Sequence, residues 1–103
     1  MGILNLLFGN RNNDIKSFKE KGAIIIDVRT PQEYHKGAIQ ESINVPLQTL
    51  KSKIADIEAY QKPIITCCAS GIRSANAASI LKSNNINAIN GGGWKTLKSK
   101  LKL

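Results

Sequence analysis

Residues 63–81 read PIITCCASGIRSANAASIL: an apolar run ends in two cysteines, small residues follow up to Arg73, and an alanine-rich helical pattern begins at once. A continuous apolar run bounded by a turn is the pattern of a strand buried on both faces, and such strands belong to parallel sheets with helical crossovers. Open sheets of that kind bind ligands at the carboxyl ends of their strands, which is where this run delivers its cysteines.

The residue types there suit a reactive thiolate. An unperturbed cysteine has a pKa of about 8.5 and is mostly protonated at neutral pH, whereas only the anion attacks. Converging backbone N–H groups, a helix N-terminus and a guanidinium all favour the anion, and the same groups bind an anionic substrate. Ala69, Ser70 and Gly71 are small enough for the backbone to curl without blocking its amides, and Gly71 tolerates positive φ. Arg73 supplies a planar fork of donors suited to oxyanions. Ser74 stands where it can cap or support the helix start. Cys68 precedes Arg73 by four intervening residues and Cys67 by five. Cys67 is expected to be the last residue of the strand and a small buried hydrophobe.

The rest of the chain alternates helices and strands. Asn13 or Asp14 is expected to cap a helix in which Ile15 and Phe18 share a face, with Gly22 at its end. Residues 23–28 form an apolar, β-branched run broken only by Asp27, again a buried parallel strand. Thr30 and Pro31 open a short helix, with proline in its favoured first position. Residues 43–46 read as a short strand, and Leu47, Leu50, Ile54 and Ile57 recur on one helix face. After the cysteines, Ala75, Ala78 and Leu81 are expected to pack the helix that Asn84 and Asn85 end. Residues 86–89 give a last strand, and Gly91, Gly92, Gly93 and Trp94 turn the chain into a terminal helix carrying Leu97 and Leu101. This alternation predicts an α/β, three-layer domain with a central, mainly parallel sheet flanked by helices.

Four segments in order, IDVRTPQEYHKGAI, INVPL, PIITCCASGIRS and GGGW, resemble a single-domain rhodanese of the thiosulfate sulfurtransferase family over residues 23–97. The resemblance implies the rhodanese-like fold, Cys68 as catalytic nucleophile, and a substrate-binding loop of Ala69, Ser70, Gly71 and Ile72 closed by Arg73 and supported by Ser74. It brings Asp27 and Arg29 near that loop, with Asp27 orienting Arg73 or the loop amides and Arg29 adding positive charge at the mouth. It packs the glycine-rich turn beside the loop, with Trp94 as a core anchor. The implied chemistry is a double displacement: the Cys68 thiolate takes the outer sulfur of thiosulfate or a related persulfide and passes it to cyanide or a thiol, without metal or organic cofactor. The competing readings are a persulfide carrier with a dedicated protein acceptor, a phosphatase using Cys67 at the longer spacing, and a non-catalytic interaction module. The chain departs from the family at Gly37, where Ala38 replaces the usual histidine; His35, three positions earlier, is expected on an exposed helix face.

With 103 residues the chain holds one domain, expected over residues 13–103, preceded by an apolar arm over residues 1–12 in which Ile3, Leu4, Leu7 and Phe8 pack on it. All seven acids lie before residue 59, so the last 45 residues carry seven basic groups and no acid, within a net charge of +8. Such a field concentrates small anions such as thiosulfate. Two adjacent cysteines make no disulfide framework, and with His35 they fall short of a four-ligand metal site. No secretory pattern or membrane-spanning run is present, so a cytoplasmic protein in a reducing compartment is expected. Five aromatics and no recognition motif argue against nucleic acid as partner.

Overall fold

The computed structural model describes residues 11–103; the expected arm of Ile3, Leu4, Leu7 and Phe8 lies outside the described residues. The element order is α1 (Arg11–Glu20), β1 (Ile24–Asp27), α2 (Pro31–His35), β2 (Ile43–Asn44), a 3-10 helix (Leu47–Lys53), α3 (Ile54–Ala59), β3 (Ile64–Cys68), α4 (Ile72–Ser83), β4 (Ala88–Gly93) and α5 (Trp94–Lys100). The four strands are parallel in the order β2-β1-β3-β4. β1 and β3 therefore occupy the centre, paired through Ile24 with Ile64 and Asp27 with Cys67. Both are rich in isoleucine, whose branched Cβ packs well on a pleated surface buried from two sides.

Alternation along β3 sends side chains to two separate cores. Ile64 and Cys68 join Ile26, Val28, Leu50, Ile57, Ala77, Ala78 and Leu81 on one face. Ile65 and Cys67 join Ile15, Ile25, Ile39 and Leu97 on the other. Each fully buried isoleucine contributes roughly 1.5–3 kcal/mol of transfer free energy, so the central strands anchor both layers. Among the described residues no helix is long and apolar enough to cross a membrane.

The elements differ from the sequence expectations in ways that matter for the site. β3 continues one residue beyond Cys67 and ends on Cys68 itself. Helix α1 begins at Arg11, so Asp14 stands in its first turn instead of capping it. Helix α4 buries Ser74, Ala77, Ala78 and Leu81, an i, i+3, i+4, i+7 stripe, and leaves Ala75 exposed. The segment carrying Leu47 and Leu50 is 3-10 before it becomes α-helical at Ile54, yet Leu50 and Ile57 are still buried. β4 starts later than expected and takes in all three glycines. Their missing side chains allow this: a Cβ on Gly91 would lie 2.7 Å from both Ile65 Cγ2 and the Thr66 carbonyl oxygen. The β3–β4 register shifts between Thr66 and Cys68, which opens the ladder where the loop departs.

Candidate active site

Cys68 ends β3 at the carboxyl edge of the sheet, and the chain reverses over Ala69 and Ser70 to enter α4. Gly71 makes the reversal at φ +101°, a left-handed conformation that a Cβ would strain. Ile72 and Arg73, expected in the loop, already belong to the first turn of α4. The turn brings helix N–H groups onto the sulfur: Gly71 N–H donates to Cys68 Sγ at 3.0 Å and Ser74 N–H at 3.4 Å. Ser74 Oγ lies 3.3 Å from Sγ. Burial pushes the Cys68 thiol up, but hydrogen bonds from the Ser74 side chain and from the Ser74, Gly71 and Ser70 N–H groups outweigh it, and the net shift is downward.

Cys67 sits in the opposite environment. Burial drives its thiol far above the ordinary range and the Asp27 carboxylate adds to this, with only Arg29 opposing. Its side chain belongs to the core on the far side of the sheet from the Cys68 side chain. The pleat thus separates two sequence neighbours into one sulfur under the loop amides and one in a dry layer.

A family model for the Rhodanese-like domain matches residues 12–100. The chain belongs to the rhodanese-like domain family. Among similar proteins, the Bacillus subtilis protein YqhL is 37% identical over 82 residues, 78% of this chain and 64% of its own length. Thiosulfate sulfurtransferase PspE of Escherichia coli is 32% identical over 74 residues, covering 70% of this chain and 71% of its own. The crystal structure of a rhodanese-related protein from Thermoplasma volcanium superimposes with a TM-score of 0.71 at 30% identity, over 86% of this chain and 88% of that one. The chain therefore spans less than two thirds of the B. subtilis protein it matches.

Around the rhodanese loop, charged side chains are committed to one another. Arg73 forms a two-point ion pair with Glu33, Nη1 to Oε1 at 2.7 Å and Nη2 to Oε2 at 3.0 Å. This bond and the Thr30 N–H hold the Glu33 carboxyl down at about 2, and Glu33 raises Arg73 in turn. Thr30 and Glu33 also complete a capping box at the start of α2, so one side chain caps that helix and ties it to α4.

The expectation that Asp27 orients Arg73 or the loop amides does not hold. Asp27, fully buried, spends both oxygens on Arg29, with Nε at 2.9 and 3.0 Å and Nη2 at 2.7 Å, and also accepts the Arg29 N–H at 3.0 Å. Nor is Arg29 a free charge at the mouth: it is buried, donates to the Glu33 and Gly37 carbonyls and stacks 4.8 Å above the Trp94 ring. A buried arginine requires such a shell of acceptors, and the chain supplies it from β1 and the end of α2. His35 is exposed at the end of α2.

Two residues escaped the sequence reading. Glu33 stands 40 positions before its arginine and reads locally as a helix-start acid. Asn90, which precedes the glycines and reads as a turn residue, accepts the Ser74 hydroxyl at 2.7 Å and the Gly92 N–H at 2.9 Å on Oδ1, and donates from Nδ2 to the Gly71 carbonyl at 3.1 Å. It joins β4 to both donors of the loop.

Proposed function

We propose that this rhodanese-like domain is a sulfurtransferase in which Cys68 carries a sulfane sulfur from thiosulfate or a related persulfide to cyanide or a thiol. The observation that carries the reading is the convergence of the Gly71 and Ser74 N–H groups on Cys68 Sγ, with the thiol lowered despite its burial. The thiolate attacks the outer sulfur of the donor; an S–S bond forms, the bond to the sulfonate sulfur breaks, and sulfite leaves with the electron pair. The nucleophilic acceptor then bonds to the outer sulfur, and Cys68 leaves as thiolate.

Arg73 is engaged by Glu33, so the donor's oxyanion falls to the first-turn N–H groups of Ile72 and Arg73, which have no carbonyl within the helix to bond. Cys68 is 0% exposed, and a donor reaches it through the exposed Ala69 and Ser70 segment, whose small side chains let the loop yield. A phosphatase reaction at Cys67 finds no support, because that sulfur lies in the opposite core. Protein acceptors and a cytoplasmic setting belong to the same proposal.

The test is the intact mass of wild type, Cys67→Ala and Cys68→Ser after exposure to thiosulfate and removal of excess donor. One added sulfur on wild type and Cys67→Ala, and none on Cys68→Ser, is the expected result. No added sulfur on any variant, with thiosulfate or with glutathione persulfide, overturns the reading.

A further inference from the structure

The Ser74 hydroxyl has one proton and two claimants. Cys68 Sγ lies 3.3 Å from Oγ and Asn90 Oδ1 lies 2.7 Å from it. The orientation of the Asn90 amide is fixed by its other bonds: Gly92 N–H needs the oxygen and the Gly71 carbonyl needs the NH2, so a flipped amide would set donor against donor and acceptor against acceptor. Oδ1 is therefore a permanent acceptor facing Ser74.

Resting on the sulfur-transfer reading above, we propose that Asn90 is a positioning residue that holds the Ser74 proton while Cys68 Sγ is neutral and releases it to Sγ when the sulfur becomes a thiolate. In the thiol, S–H donates to Ser74 Oγ and Oγ–H donates to Asn90. In the persulfide the inner sulfur is again neutral, the charge lies on the outer sulfur, and the hydroxyl stays on Asn90. When an acceptor bonds to the outer sulfur and the S–S bond breaks, the electron pair returns to Sγ. The hydroxyl then rotates from Oδ1 to Sγ, while Oδ1 retains the Gly92 N–H. No proton is gained or lost by Ser74. A donor that engages only as charge develops favours the transition state over the ground state.

Asn90 thus competes with the thiolate for a hydrogen bond and keeps the Cys68 pKa above the value the loop alone would set. That spares nucleophilicity, which declines as a thiol's pKa falls. The other titratable and charged groups around Cys68 are few: Arg73, paired with Glu33, on the α4 side, and Cys67, backed by the Asp27–Arg29 pair, along the sheet. β4 carries no titratable side chain.

The test is the pH dependence of Cys68 alkylation by iodoacetamide, read by mass spectrometry in wild type, Asn90→Leu, Asn90→Asp and Ser74→Ala, and in each Asn90 variant combined with Ser74→Ala. Asn90→Leu removes the competing acceptor and lowers the midpoint by up to about one unit, the size of one hydrogen bond to a charged group. Asn90→Asp keeps an acceptor facing Ser74 and the Gly92 N–H, gives up the bond to the Gly71 carbonyl, adds charge and raises the midpoint. In the Ser74→Ala background the Leu effect vanishes and the Asp effect shrinks. A merely structural role, in which any change loosens Gly71, raises the midpoint for both variants in both backgrounds and overturns the proposal. Asn90→Asp decides the matter alone if Asn90→Leu fails to fold: a shift undiminished by Ser74→Ala overturns it. Wild-type persulfide formation, measured alongside, separates the two readings. Persulfide without the coupling overturns the Asn90 role alone, whereas coupling without persulfide overturns the sulfur-transfer reading and with it the role of Asn90 in that reaction.

Discussion

Glu33 is a surface carboxylate whose environment is set by a single neighbour and a helix start. Its depressed pKa fixes the sign of its contribution to stability. The stabilisation is fully present above the unfolded carboxylate value of about 4.3 and is lost as pH falls through the folded value of about 2. We expect Glu33→Gln to melt earlier than wild type at neutral pH, with the two converging as the buffer is taken from about pH 4 towards pH 2; a gap that persists at the acid end would mean that the pair is not its source. The buried pair behaves differently. Burial lowers the Arg29 pKa, but the Asp27 bond and charge outweigh this and it rises on balance. Asp27→Ala strands a buried guanidinium, and the expected cost is about 3–5 kcal/mol by urea denaturation. A second change, Arg29→Met, should restore much of the loss, since an apolar pair of similar bulk can replace a buried ion pair.

Among the elements, β4 is the one whose composition looks least like a strand and matters most to the loop. Each glycine meets a different constraint. Added to Gly91, a methyl meets Ile65, the Thr66 carbonyl and Leu97 at 2.7 to 2.9 Å. On Gly93 it would come within 2.9 Å of the Ala69 carbonyl, in the loop itself. On Gly92 it has open space but a left-handed backbone at φ +84°. Gly91→Ala should therefore cost stability, on the order of 1–3 kcal/mol, by repacking the core. Gly93→Ala should slow persulfide loading out of proportion to its shift in melting temperature, and equal losses in both would rule out a contact specific to the loop. The sequence showed β1 and β3 because burial on both faces writes itself as an unbroken apolar run. It did not show that β4 runs on through Gly93, since glycine has no side chain to carry a pattern. The loop was legible for a different reason: small residues between a buried strand and a helix let the backbone curl, and Gly71 takes the positive φ that the reversal needs. The partners of Arg73 and Ser74 come from α2 and β4, and nothing local to residues 63–81 points there.

Across the whole molecule, the sheet order β2-β1-β3-β4 puts the loop at the carboxyl end of a central strand, where α2, α4 and β4 can all reach it. Net positive charge is concentrated in the last 45 residues, which hold no acid, and beside the loop Glu33 neutralises Arg73. The field that a small anion meets is then a general one, set by lysines such as Lys95 and Lys98 on α5. The pleat of β3 has a consequence for redox chemistry. Because Cys67 and Cys68 face opposite layers, the backbone acts as a partition between two adjacent thiols. On the sulfur-transfer reading, Cys67 is not placed to receive a sulfur loaded on Cys68 or to resolve an oxidised Cys68. On that reading the thiol that repairs or unloads this sulfur comes from outside this domain, so the lifetime of the loaded state is governed by what surrounds it.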